Sequence, residues 1–92
     1  MWSEAGVKER IREFVLKDLA YRKGVTSFAD DESLIQEGVV DSLGIFRIVS
    51  FVEGSFGIRV RDEEIVAENF QTIDDMERFV LSHLERPMRS VG

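Results

Sequence analysis

All-α is the architecture this sequence predicts: a small bundle of three principal helices plus one short helix. Three observations point to it. Apolar residues return at steps of three and four in three separate stretches. Alternating apolar and polar runs are nearly absent, and 92 residues with 43% hydrophobic side chains can enclose one small core and no second. Residues 1–92 therefore read as a single domain, with an ordered core over about 4–84 and a frayed tail over 85–92.

Val7, Ile11, Phe14, Val15 and Leu19 recur at helical spacing among Lys, Arg and Glu, which makes residues 4–22 one amphipathic helix ending near Gly24. Residues 25–41 follow no sustained period. Thr26, Ser27, Asp30, Asp31, Glu32, Glu37 and Gly38 alternate irregularly with Phe28, Leu34, Ile35 and Val39, as in a long loop pinned by apolar residues. So long a connection in a compact domain is read as functional, because it delivers the chain to Ser42. Over residues 42–56, Ile45, Ile48, Val49, Val52 and Phe56 fall on one core-facing stripe. The opposite face carries Leu43, Arg47, Ser50 and Gly54 with Phe46 at its edge, and reads as a docking face. Gly57 stops this helix as a left-handed cap, and residues 58–60 form a short extended link. A brief acidic helix is expected over 62–67. Thr72-Ile73-Asp74-Asp75 has the pattern of a capping box, and Ile73, Met76, Val80 and Leu84 place the last helix at 72–84, before the break at Pro87.

Composition narrows the function. A core this small leaves little room for a deep enzyme cleft, so a binding or carrying role is expected rather than catalysis. Without cysteine there are no disulfides, no thiolate metal sites and no cysteine nucleophile. The start Met1-Trp2-Ser3-Glu4 shows no basic segment before an apolar run, and no stretch approaches the ~20 apolar residues of a membrane span, so a cytoplasmic chain without membrane insertion is expected. The net charge of -6 is uneven. Residues 1–24 carry six basic and four acidic side chains, whereas residues 25–92 carry six basic and fourteen acidic ones. An acidic surface repels phosphate backbones, which argues against nucleic acid and for a partner protein with a basic face.

Ser42 is the candidate site residue. It lies in Glu37-Gly38-Val39-Val40-Asp41-Ser42-Leu43-Gly44, where the loop gives way to the second helix. An Asp-Ser pair there is either a helix cap or an attachment point for a covalent group, and the two roles can coexist if Asp41 caps while Ser42 is modified. An enzyme built on Ser42 and the one histidine, His83, lacks a nucleophile elbow and a glycine-rich oxyanion loop; His83 suits the C-terminal end of its helix. Asp30, Asp31, Glu32 and Glu37 lack the ligand alternation and central glycine of a calcium loop, so no metal ligands are assigned.

Leu34-Ile35-Gln36-Glu37-Gly38-Val39-Val40-Asp41-Ser42-Leu43-Gly44, followed by an amphipathic helix, resembles the acyl carrier protein family around its phosphopantetheine site. Asp-Ser-Leu alone is common; its place after a long loop, at the start of the second of four helices, gives it specificity. Phe56-Gly57-Ile58-Arg59-Val60-Arg61-Asp62-Glu63-Glu64 is similar to the family's pattern after that helix, so the resemblance covers about residues 4–84. It implies an acyl-carrier-like four-helix bundle and a phosphopantetheinyl transferase that joins the 4'-phosphopantetheine arm of coenzyme A to Ser42. The arm's thiol then holds an acyl or aminoacyl thioester for a downstream acyltransferase or synthase. Asp41, Leu43, Phe46, Arg47 and Ile65 are the implied partner-recognition residues, and a monomer is expected.

The chain departs from the fatty-acid carriers of that family, whose second helix is strongly acidic. Residues 42–56 hold only Glu53 and Arg47 as charged side chains, and Gly44 and Arg47 stand where acids are common in those carriers. Gly-Val-Val-Asp-Ser-Leu-Gly looks closer to free-standing carriers loaded by an adenylating ligase, such as D-alanyl or other aminoacyl carriers. A fatty-acid or polyketide synthase carrier is the alternative within the family. From another class, the rival is a non-catalytic helical interaction module with the same docking face. Seven phenylalanines suggest a filled core and hence a short or exposed cargo.

Overall fold

The computed structural model describes residues 4–85, so the tail expected over 85–92 lies, beyond Glu85, outside the described residues. Helix α1 spans Glu4–Phe14 and runs on through a π-helical stretch, Val15–Ala20, and a 3-10 turn, Tyr21–Lys23. Helix α2 is Ser42–Phe56, α3 is the single turn Ala67–Phe70, and α4 is Ile73–Glu85. No strand occurs among the described residues. The chain is a small all-α bundle.

The helix ends follow local chemistry. Gly24, at φ 76°, takes the left-handed conformation that closes the first helix, and the Val25 N–H reaches back to the Ala20 carbonyl at 2.9 Å. Gly57 does the same for α2 at φ 69°, its N–H donating to the Glu53 carbonyl at 3.0 Å. At the start of α4 the Thr72 hydroxyl accepts from the Asp75 N–H at 2.9 Å. The Asp75 carboxylate pairs with Arg78 at 2.9 Å, so the box expected from sequence is made on its threonine side.

The acidic helix expected over 62–67 is not an α-helix. Asp62–Glu64 form one 3-10 turn, and the short α-helix lies later, at Ala67–Phe70. Asp62, Glu63 and Glu64 present no apolar side to bury. Phe70 supplies what they lack: fully buried, its ring sits 5.4 Å from that of Phe79 in α4 and holds this turn against the core.

The core joins all three long helices and the loop. Val7, Ile11, Val15 and Leu19 meet Ile48, Val49, Val52 and Phe56 of α2 and Ile73, Met76, Phe79 and Val80 of α4 in one buried cluster. Ile45 and Leu84, placed on core stripes by their spacing, are half-buried against it. Phe14 is also half-buried and stacks on Phe51 with ring centroids 4.3 Å apart. Polar contacts tie α4 to α1 at the surface. Lys8 lies 3.0 Å from Asp74, 3.6 Å from Asp30 and 3.7 Å from Glu77, while Arg12 pairs with Asp30 and donates to the Phe28 carbonyl at 3.3 Å. The hydrogen bond to Asp74 raises the Lys8 ammonium above its ordinary value of 10.5.

Leu34 anchors the long loop. Its side chain is fully buried, its N–H donates to the Gln71 carbonyl at 2.8 Å, and its carbonyl accepts from Val39 at 2.9 Å and Val40 at 3.1 Å. Removing that side chain leaves a void where helices and loop meet. Leu34→Ala is therefore expected to cost about 2–5 kcal/mol in urea denaturation. Leu43→Ala, which truncates a side chain 67% exposed, should stay within about 0.5 kcal/mol.

Candidate functional site

Ser42 is the first residue of α2 and is exposed. The residue before it does the capping. Asp41 is in extended conformation at φ -113° and ψ -171°, and its Oδ1 accepts from the Gly44 N–H at 2.8 Å, while its carbonyl accepts from Ile45 at 2.9 Å. The Ser42 hydroxyl makes no hydrogen bond among the described residues. Cap and hydroxyl are thus separate functions on neighbouring residues.

Gly44 leaves this arrangement room. It is buried, and a Cβ there would stand 3.3 Å from Asp41 Oδ1, 3.6 Å from Leu19 and 3.7 Å from Val40. An acidic side chain at this position would begin against the capping carboxylate. A side chain at residue 44 would require the capping carboxylate to shift by a few tenths of an ångström.

The last residue of the first helix also reaches the site. Lys23 Nζ donates to the Gly38 carbonyl at 2.8 Å and lies 3.6 Å from Asp41 Oδ2. Gly38 itself is at φ 81°, a left-handed turn that swings the chain toward Val39 and Val40, both buried. The Gly44 amide, followed by the Lys23 charge, holds the Asp41 carboxyl below its ordinary value of 3.8.

The residues expected to recognise partners divide into two groups. Leu43 is 67% exposed and Phe46 58% exposed, so the apolar part of the α2 face is open. Arg47 is half-buried, and its Nε is buried without a hydrogen-bond partner among the described residues. Ile65 belongs elsewhere: it ends the Asp62–Glu64 turn and is half-buried against the core. Its hydrophobicity is spent largely on packing. Glu53, the acid of α2, accepts from the Val60 N–H at 2.9 Å and so fastens the link after α2.

His83 is a structural residue. Its Nδ1 lies 3.0 Å from the Phe79 carbonyl and its Nε2 3.1 Å from Glu64 Oε1, and its side chain is 5% exposed. It therefore ties α4 to the acidic turn. Among the described residues no group of three or more His, Asp or Glu is arranged to hold a metal ion, and no helix is long and apolar enough to cross a membrane. In the acidic loop segment Asp30 is taken by Arg12, and Glu32 accepts from its own loop at the Ala29 N–H.

Sequence reasoning passed over Lys23 and the tight seat of Gly44. The partners of Lys23 lie fifteen or more residues away along the chain, and so does Leu19 beside Gly44, beyond any local pattern. No family model matches the chain, and no curated protein matches it.

A carboxyl held down by folding contributes stability above its ordinary value and loses that contribution as pH falls through the folded value. For Asp41 the loss begins as pH drops below about 4. Thermal melting of Asp41→Asn, which keeps a capping oxygen but no charge, should fall less steeply than wild type between about pH 5 and 2. Equal slopes would show that Asp41 contributes nothing to the acid transition.

Proposed function

We propose that the chain is a carrier protein of the acyl carrier type, with Ser42 as the attachment point of a 4'-phosphopantetheine arm. The observation that carries this reading is the free, exposed Ser42 hydroxyl at the mouth of a fifteen-residue helix whose cap is made by its neighbour. A helix mouth favours negative charge, so a phosphodiester suits this position. The residues present fit the group. Transfer would join Ser42 Oγ to the pantetheine-side phosphorus of coenzyme A and break the pyrophosphate bond to the nucleotide half. Adenosine 3',5'-bisphosphate leaves, and the serine proton passes to a base on the transferase.

The arm's thiol then carries the cargo as a thioester, and since the chain has no cysteine, no protein thiol competes for it. The exposed Leu43 and Phe46 offer an apolar docking face to a phosphopantetheinyl transferase, a loading ligase and a downstream acyltransferase or synthase. Residues 42–56 carry one acid and one base, and the acid is engaged with Val60. That neutrality favours a free-standing carrier loaded by an adenylating ligase over a fatty-acid or polyketide synthase carrier, because charge at an interface rim selects partners. The dense middle of the bundle, with Ile48, Val52, Phe70, Ile73 and Met76 almost fully buried, favours a short cargo that stays outside. A cytoplasmic monomer is the setting this reading assumes.

The same exposed pair of apolar side chains fits a helical interaction module that carries nothing. Chemistry separates the two. Incubation with coenzyme A and a broad-specificity phosphopantetheinyl transferase should add one arm to the wild type by intact mass and none to Ser42→Ala. An unmodified wild type would remove the carrier reading. Gly38→Pro should load more slowly than wild type, because proline cannot adopt φ 81° and removes the N–H that donates to the Ile35 carbonyl at 3.1 Å. Octanoyl loading should leave the methyl resonances of Ile48 and Val52 in place; large movements there would mean the core admits cargo.

A further inference from the structure

We propose that Lys23 is the positioning residue of the attachment site: it fastens the loop across the mouth of α2 and supplies the positive charge that a phosphodiester on Ser42 meets beside Asp41. This rests on the carrier reading.

The side chain spans two distant pieces of chain. Gly24 turns the backbone away at φ 76°, so Lys23 is the last helical residue of its segment, and its ammonium crosses to the Gly38 carbonyl at 2.8 Å and to Asp41 Oδ2 at 3.6 Å. These two contacts bracket the descent from the Gly38 turn to the helix mouth. The opposite oxygen of Asp41 is fixed by the Gly44 amide at 2.8 Å, which leaves Oδ2 to face the lysine. An ammonium has three N–H donors. One is held by Gly38, so Lys23 keeps capacity for a further oxygen one residue beyond Asp41.

Loading creates a charge problem that Lys23 solves. The carboxylate that caps α2 sits directly before Ser42, and a phosphodiester there places a second negative charge beside the first. The helix mouth offsets part of that repulsion. The remainder needs a cation already on the spot, and among the described residues Lys23 is the base that contacts Asp41. Arg47, on α2 itself, is half-buried with its Nε enclosed. An exposed ion pair contributes little to stability. The effect of Lys23 is therefore expected in loading rather than in folding.

The test uses the full chain, coenzyme A and a broad-specificity phosphopantetheinyl transferase, with kcat and KM measured for wild type, Lys23→Gln and Lys23→Arg beside their melting temperatures. Lys23→Gln should raise the KM for the carrier about five-fold with kcat little changed, and the difference should shrink at high salt. Lys23→Arg should restore the wild-type KM. In the loaded proteins the phosphorus resonance should move in Lys23→Gln and not in Lys23→Arg. Wild-type kcat/KM and an unmoved resonance in Lys23→Gln would overturn the proposal while leaving the carrier reading intact, as would a Lys23→Arg variant as impaired as Lys23→Gln. A wild type that takes up no arm would remove the carrier reading, and the role of Lys23 with it.

Discussion

The hydrogen bond from the Gly44 amide to the Asp41 carboxylate is the contact on which the rest of the site depends. It satisfies a free amide of the first turn of α2, and it does so with the residue before Ser42, so the serine hydroxyl is left over. The bond goes with an Asp41 that arrives in extended conformation and with a glycine at residue 44, where a Cβ would stand 3.3 Å from the capping oxygen. Extended arrival depends on the buried Val39 and Val40, which are bonded to the Leu34 carbonyl. Leu34 in turn is bonded to Gln71, just ahead of α4. A chain of backbone contacts thus runs from the last helix, through the loop, to one exposed hydroxyl.

The bundle separates strength from presentation. Its strength comes from an apolar core: among the described residues those buried as a whole are apolar or glycine, and the enclosed His83 ring is bonded to Phe79 and Glu64. Ion pairs are kept at the rim, where each is partly exposed and steers geometry more than it adds stability. Lys8 and Arg12 hold the early loop on α1, and Lys23 holds its end. The loop is irregular but closely tethered.

Much of this was legible in the residues. The cap at Asp41, the stop at Gly57 and the core stripe between them are local signals, written within one or two helical turns, and they placed α2 residue for residue. Gly24 and Thr72 marked the other boundaries in the same way. The acidic segment misled because a helix this short forms only where something buries it, and Phe70 rather than the acids has that anchor. Leu43 was legible as lying opposite the apolar stripe and Phe46 at its edge, but whether the loop covers them was not, and the fold leaves both exposed. Lys23, the contact of Leu19 with the seat of Gly44 and the bond of His83 to Glu64 were not legible, since each joins residues brought together only by the fold.

The π-helical stretch Val15–Ala20 has a consequence for how the first helix keeps its phase. Val7, Ile11, Val15 and Leu19 are spaced by four throughout, and all are buried. In an unbroken α-helix each such step overshoots a full turn by about 40°, so Leu19 would lie about 120° round from Val7. A wider turn undershoots instead and winds the stripe back. Leu19 is thereby returned to the inner side, close to Gly44, and the backbone pitch of α1 is tuned by a few residues so that its far end still faces the mouth of α2.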